Sequence, residues 1–398
     1  MQFLLINQFF WPDSAATAQL LTDVARTLAE EDFEVTVVCG RPYYGAVDES
    51  PAPTARILRC GPAAFSRGKL QRISSYASFL VSAVWKAFRT ERSDVVVTLT
   101  TPPLLCLLGT ALKLTRGSRH YIWEMDMYPD IALDLGIMRP GALTWLVGVA
   151  ADWSRRRADG VVALGEDMKA RLVARGIPGH WIHVAHNWAD GEEIVPIAFS
   201  EGPLVVHYSG NFGLAHDVET IAGAMKALRG NSEIRFVFAG GGSKKAWLQE
   251  FCSREAIPNA TFPGYAQRAD LGRSLGEGHV GLVTQLPQTC GAVVPSKTYG
   301  IMAAGRGILY VGPAAATPAR IIERHDCGWR VDSGDIPALI HLLETLIQDR
   351  AGIRRAGERA RLAFDQHYER RIGVARVCKI LGIPLKPEVR SQQPVGEL

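Results

Sequence analysis

A buried strand followed by an amphipathic helix recurs along this chain, stops near residue 190, and then starts afresh; no other feature constrains the fold as much. Phe3–Ile6 is a continuous apolar run, the pattern of a strand covered on both faces. Leu20, Leu21, Val24 and Leu28 recur at three- and four-residue intervals, a helical stripe. Strand-like segments continue at Glu34–Cys39, Asp94–Leu99, His120–Trp123, Gly160–Leu164 and Trp181–Ala185. Acidic, Pro and Gly residues cluster over Asp190–Pro203, which reads as a hinge. The alternation restarts at Leu204–Tyr208 and runs through Arg235–Ala239, His279–Thr284 and Ile308–Val311. Leu339–Leu346 and the stretch from Ala351 to about Leu381 are helical in pattern. The expected fold is therefore α/β: two Rossmann-like, doubly wound parallel-sheet domains facing a central cleft. The expected division is 1–190 and 191–365. Helices over about 366–385 are free to pack back on the first domain, and 386–398 is a polar tail expected to fray.

Composition narrows the function class. In 398 residues, 44 Lys+Arg against 40 Asp+Glu leave a net charge of +4, too small and too dispersed for a dedicated nucleic-acid binder. Seven scattered cysteines without a C-x-x-C pair point to a reducing compartment and buried thiols. H-E-x-x-H and zinc-like Cys/His spacing are absent, so no metal is expected. The N-terminus lacks a basic region followed by a signal-length apolar run, and no apolar run reaches about eighteen residues. A cytoplasmic protein, peripheral to a membrane at most, is expected.

In open α/β sheets, ligands bind beyond the C-terminal ends of the strands, so the loops there decide the chemistry. Ser209-Gly210-Asn211-Phe212-Gly213 follows the first strand of the second half, and Gly240-Gly241-Gly242-Ser243-Lys244-Lys245 follows the next. Glycines between a strand and a helix let backbone N–H groups approach a phosphate, although a tight packing turn needs them equally. A third segment, Val294-Pro295-Ser296-Lys297-Thr298-Tyr299-Gly300-Ile301-Met302-Ala303-Ala304-Gly305, is the most distinctive. Pro295 and Ser296 suit a helix start, and a lysine there opposes the helix dipole unless an anion is present. That local inconsistency points to function at Lys297.

These segments, with Phe262-Pro-Gly264-Tyr265 and Cys327-Gly328, resemble the retaining glycosyltransferases of family four, which adopt the GT-B fold. The Pro-Ser-Lys…Met-Ala-Ala-Gly element resembles the branch that builds bacterial surface polysaccharides, including colanic-acid and fucosamine-type transferases. Asn7-Gln-Phe-Phe-Trp-Pro12, Trp123-Glu-Met-Asp126-Met-Tyr-Pro129 and His186-Asn-Trp188-Ala-Asp190 extend the likeness into the first half. The resemblance implies a nucleotide-sugar donor, expected to be a UDP-sugar, in the second domain. It implies a polyprenyl-linked or saccharide acceptor in the first. It further implies that Gly210, Asn211, Phe212, Gly213, Gly240 and Gly241 face the diphosphate, with Ser296 beside it and Tyr265 near the base. Lys297 would neutralise the leaving diphosphate, and no metal cofactor would be needed. Asp126 best matches the family's acidic residue near the acceptor. In an extended segment Glu124 and Asp126 point to one side, so either could orient or deprotonate the acceptor hydroxyl. Asp13 and Ser14 could line the acceptor side.

The departures concern the nucleotide. Asn211 and His216 stand where many members pair an Arg and a Lys, leaving His216 to give a charged contact only at lower pH. Ala292 and Gly300 stand where many members carry two glutamates, so the usual ribose contact is missing. A nucleotide-sugar epimerase on the same architecture and a non-catalytic sugar-nucleotide binder fit the same residues. Finally, residues 61–90 hold Arg67, Lys69, Arg72, Lys86 and Arg89 and no acid, interleaved with Phe65, Leu70, Ile73, Tyr76, Leu80, Val84, Trp85 and Phe88. Lys113, Arg116 and Arg119 follow in a second acid-free stretch, and Arg155-Arg156-Arg157 adds a smaller basic spot. A basic, aromatic, amphipathic surface suits contact with an anionic membrane, and a domain helix with a solvated rim would look similar.

Overall fold

The computed structural model describes residues 1–42, 50–61 and 69–385. Phe65, Arg67 and the tail 386–398 lie outside the described residues, as do the side chains of Lys69, Leu70, Arg72 and Ile73.

Period-two sorting of apolar side chains builds the first sheet. Its strands are β1 (Gln2–Ile6), β2 (Glu34–Cys39), β3 (Arg56–Arg59), β4 (Val95–Thr98), β5 (Arg119–Trp123), β6 (Gly160–Ala163) and β7 (Ile182–Val184). Phe3, Leu5 and Val97 enter the core on one face, while Leu4, Ile6 and Val96 enter the core on the other. Both faces are thus covered, which is why β1 reads as an unbroken apolar run. All pairings are parallel, in the order β3-β2-β1-β4-β5-β6-β7.

The second sheet repeats the plan with β8 (Leu204–Asn211), β9 (Ile234–Gly241), β10 (Ala260–Thr261), β11 (Val280–Thr284), β12 (Gly307–Val311) and β13 (Gly328–Val331). Its order is β10-β9-β8-β11-β12-β13. Both orders are those of the doubly wound dinucleotide-binding fold, with switch points at β1/β4 and β8/β11. The strands that carry no sequence signal, β3, β10 and β13, lie at or next to sheet edges, where they are short and only partly buried.

The stretch from Ala351 to about Leu381, helical in pattern, holds two helices, Arg350–His367 and Arg370–Ile380. The break falls at Tyr368–Glu369, where the Glu369 carboxylate accepts the Arg371 N–H (2.6 Å) and Glu369 bridges to Ala189. The second helix crosses to the first domain, and Val374, Val377, Cys378 and Leu381 complete that domain's core. The connection read as a hinge is strapped down for much of its length. Asp190 holds Arg370 (2.6 Å), Glu193 holds Arg268 (2.7 Å), and Arg361 donates to the Ile194 carbonyl (3.0 Å). Six of the seven cysteines are buried and all are free thiols.

Candidate active site

The helix after β8, Glu219–Ala227, packs on one face of the second sheet, and the helix after β11, Lys297–Ala303, on the other. A crevice therefore opens between the C-terminal ends of β8 and β11. The two glycine segments expected as loops there are strand ends. Ser209, Gly210 and Asn211 pair in register with Ala239, Gly240 and Gly241. Gly210 and Gly240 hold φ near +123° and +117°, a backbone that side chains rarely tolerate. A Cβ on Gly240 would stand 2.2 Å from the Gly210 carbonyl oxygen, and one on Gly210 would stand 2.8 Å from Cε of Lys297. These glycines let two strands and a lysine stem close on one point.

Lys297 opens its helix, directly after Ser296, and is half-buried. Its Nζ donates to the Asn211 carbonyl at 3.4 Å and lies 5.2 Å from the centre of the Tyr208 ring. Among the described residues no carboxylate comes within ion-pair distance of it. Burial without an anion lowers its pKa from 10.5 to about 8. The ammonium is therefore presented at the crevice with a neutral carbonyl and an aromatic face as its partners.

Three neighbours take roles different from those expected. Phe212 is fully buried between Tyr208 (4.4 Å between ring centres) and Phe238 (5.7 Å), and its N–H goes to the Gly241 carbonyl (2.6 Å). It anchors the segment from inside and offers a diphosphate nothing. His216 is a brace. Its Nδ1 lies 3.0 Å from the Thr284 carbonyl and its Nε2 lies 3.3 Å from the Tyr208 hydroxyl, tying β8 to β11. Burial and then the Lys297 charge push its pKa down to about 3, so it stays neutral where it was expected to charge. Lys245 turns inward to donate to the carbonyls of Gly240 (2.7 Å) and Pro263 (2.5 Å), while Lys244 pairs with Glu219 (3.1 Å). The glycine–lysine run thus ties carbonyls together. Tyr265 is 60% exposed and lies against Gly241, where a Cβ would meet its ring at 3.0 Å.

On the first-domain side, Glu124 and Asp126 part company. Glu124 is buried, and its Oε1 accepts from Nε of Arg155 at 2.6 Å. Arg155, equally buried, also holds Asp152 at 2.8 Å. Its Oε2 has no partner but is sealed from solvent, so an acceptor hydroxyl reaches neither oxygen, and Glu124 is a core ion pair and not a second catalytic acid. Asp126 is half-buried at the domain boundary, where it bridges to Val293 and donates its N–H to Oγ1 of Thr100 (3.1 Å). Burial, and then the charge of Glu124, raise its pKa to about 6. Val293 lies four residues before Lys297, so one segment links the two candidates. Asp13 is buried in the turn after β1, its N–H on the Phe10 carbonyl (3.0 Å), with Ser14 half-buried beside it.

Contacts across the boundary carried no signal in the sequence. Met127 N–H donates to the Ala292 carbonyl (2.8 Å), and Arg171 to the Cys290 carbonyl (3.1 Å). Asp167 accepts from Oγ1 of Thr317 at 2.6 Å and from its N–H at 3.1 Å. These partners stand more than a hundred residues apart, and no local pattern marks them.

Residues 16–188 match the model of the glycosyl transferase 4-like domain. The chain is 27% identical over 327 residues to WbjE of Pseudomonas aeruginosa, named a probable glycosyltransferase, covering 78% of this chain and 79% of that protein. It is 24% identical over 354 residues to WcaI of Escherichia coli (strain K12), a colanic acid biosynthesis glycosyl transferase by name, covering 81% of this chain and 86% of the other. Among solved structures, that of Alr3699/HepE from Anabaena in complex with UDP and glucose superposes with a TM-score of 0.72 at 14% identity. That match covers 96% of this chain and 99% of the other.

Proposed function

We propose, from the premise that this chain is a glycosyltransferase with the GT-B fold and a family-four first domain, that it moves a sugar from UDP to a polyprenyl-linked or saccharide acceptor with retention of anomeric configuration. The product belongs to a bacterial surface polysaccharide. One observation carries the reading: the Lys297 ammonium stands over Gly210 at the second-domain switch point without a carboxylate partner among the described residues. As the bond from the sugar C1 to the diphosphate breaks, charge builds on the β-phosphate, and a cation fixed in a partly dry site stabilises it. The scheme calls for no metal, because Lys297 supplies that charge. Tyr265 offers an exposed ring beside Gly241 for the base, and Ser296 flanks Lys297. The UDP complex of a protein with this fold supports the choice of nucleotide.

In the first domain Asp126 orients the acceptor hydroxyl or takes its proton as the new C1–O bond forms. Its pKa near 6 leaves it ionised at neutral pH yet close enough to be a useful base. Lipid-linked acceptors would bring the enzyme to the inner face of the cell membrane as a peripheral protein. Among the described residues no helix is long and apolar enough to cross a membrane.

A thermal-shift panel of nucleoside diphosphates and their sugars tests the donor. UDP should raise the melting midpoint in proportion to the logarithm of its concentration, and adenine dinucleotides should leave it unchanged. A shift with GDP alone would reassign the base, and no shift with any nucleotide would end the reading. Proton NMR of the anomeric signal in the first product formed decides retention.

A further inference from the structure

The helix Ala142–Arg155 is amphipathic the wrong way round. Its buried side carries Thr144, Gly148, Ala151, Asp152, Ser154 and Arg155. Its solvent side carries Leu143, Trp145, Leu146, Val149 and Trp153, with Leu143 66% and Trp145 68% exposed. Spacings of three and four residues place these five on one stripe. The inward charges are satisfied, since Arg155 holds Glu124 and Asp152, and Arg175 holds Asp152 at 2.7 Å. The helix is therefore anchored by ionic contacts on the inside and presents its large apolar groups outward. A monomer in water gains nothing from that arrangement, and a contiguous exposed apolar surface marks an apolar partner.

The stripe does not stand alone. The helix Cys106–Arg116 packs beside it through a buried Thr110–Ser154 hydrogen bond (2.6 Å) and exposes Leu114. Arg116 in turn donates to the Thr90 carbonyl (2.8 Å), joining the end of the helix Lys69–Ala87, where Trp85 is 54% exposed. Three aromatic rings on this layer each carry a guanidinium: Arg89 over Trp85 (4.0 Å), Arg116 over Phe88 (5.4 Å) and Arg157 over Trp153 (4.6 Å). Residues 137–157 contain a single acid, Asp152, and it is buried, whereas Arg139, Arg156 and Arg157 are exposed. The exposed acids nearest to these arginines in the chain are Glu91 and Asp159, and Asp159 is paired with Lys113 (2.8 Å); apolar rings at the level of paired arginines complement a layer of hydrocarbon beneath anionic headgroups.

We infer that the outer face of these three helices, centred on Trp145, Leu146 and Val149, docks on an anionic lipid bilayer. The inference rests on the peripheral placement proposed above and moves its centre of contact from residues 61–90 to the helix Ala142–Arg155. That helix joins β5 to β6, so it begins at the C-terminal edge of the first sheet, the edge facing the cleft. Docking there brings the acceptor side of the cleft to the bilayer.

The test is sedimentation of the full chain with vesicles of phosphatidylglycerol and, separately, of phosphatidylcholine, at about 0.1 M and 0.5 M salt, where headgroup attraction is screened to different extents. Wild type should partition onto phosphatidylglycerol at least tenfold better than onto phosphatidylcholine, and less so at high salt. The double variant Trp145→Glu/Leu146→Glu should lose at least tenfold. Both positions are exposed, so its melting temperature and its stabilisation by UDP should match wild type. Arg156→Glu/Arg157→Glu should lose the preference for the anionic vesicle. Partitioning of Trp145→Glu/Leu146→Glu within twofold of wild type overturns the inference. So does a Trp145-dependent dimer in sedimentation velocity without vesicle binding, which would make a second copy the occupant. Vesicle binding without any UDP stabilisation would refute the donor reading and leave this one standing; UDP stabilisation without vesicle binding would do the reverse.

Discussion

Lys297 makes a quantitative prediction because its proton is held loosely until an anion arrives. In the free protein burial sets its pKa at about 8. A diphosphate within hydrogen-bond reach would return it to the ordinary 10.5 or above. Binding of UDP must then draw in a proton wherever free Lys297 has lost one. From the two pKa values the uptake is about 0.1 proton at pH 7, about 0.5 at pH 8 and about 0.9 at pH 9. The affinity follows: the Kd is flat below pH ~8 and rises about tenfold per unit above it, until the bound lysine itself titrates. In the unliganded protein the same shift has the opposite consequence. Between about pH 8 and 10.5 the unfolded chain holds a proton that the folded one has shed, so this group's contribution makes stability rise with pH. Titration calorimetry in buffers of different ionisation enthalpy counts the protons directly. Lys297→Met keeps the stem that lies against Gly210 and removes the charge. It should abolish the uptake and weaken UDP by roughly ten- to a hundredfold, the value of a hydrogen bond to a charged group, about 1.5–3 kcal/mol. Uptake near zero in wild type at pH 9, or uptake unchanged in Lys297→Met, would refute the placement of the diphosphate on this lysine.

Three further outcomes are expected. Gly210→Ala puts a methyl at φ +123° and 2.8 Å from the lysine stem; backbone strain of about 1–3 kcal/mol should lower the melting temperature, and UDP binding by calorimetry should weaken, whereas Gly213→Ala, whose methyl would meet nothing nearer than Asn211 at 3.4 Å, should leave the melting temperature unchanged. Glu124→Gln leaves a buried arginine short of its closest partner, at a cost of about 3 kcal/mol; circular-dichroism melts should show the loss, while the UDP affinity of the folded protein stays within a few-fold. Asp126→Asn should reduce turnover with little change in UDP affinity, and wild-type turnover should fall as pH drops through about 6 and the Asp126 carboxylate is protonated; equal losses in turnover and affinity would make Asp126 structural.

Most strands were legible because a strand covered on both faces is mainly apolar, as in Phe3–Ile6 of β1, Val95–Val97 of β4, Gly160–Ala163 of β6 and Val280–Val283 of β11. The short edge strands β3, β10 and β13 were not, since a half-exposed strand of two to four residues leaves no pattern. The likeness to a glycosyltransferase family was legible too, because its glycines, Pro-Ser-Lys segment and Trp-Glu-Met-Asp segment are contiguous in the chain. Lys297 stood out on local grounds alone, as a cation at a helix start. Roles set by distant partners were not legible. Glu124 looked equivalent to Asp126 until Arg155 claimed it, and His216 looked titratable until Thr284, Tyr208 and burial enclosed it. The glycine–lysine run fitted an anion site and a solvated turn alike until Lys245 turned toward the Gly240 carbonyl.

What the amino-acid order settled by itself is the architecture: two doubly wound halves, the strand ends that meet at each switch point, and a lysine placed at one of them. Periodicity and glycine placement act over a few residues, and a few residues suffice to define them. Only tertiary structure decided which charged groups remain available. An ionisable side chain is spent or free according to what folds against it, and here those partners come from tens to more than a hundred residues away. The outward stripe of Leu143, Trp145, Leu146, Val149 and Trp153 belongs to the same category. Periodicity marks a face without saying which way it points; the direction is set by the ionic anchor of Arg155 and Asp152 beneath it.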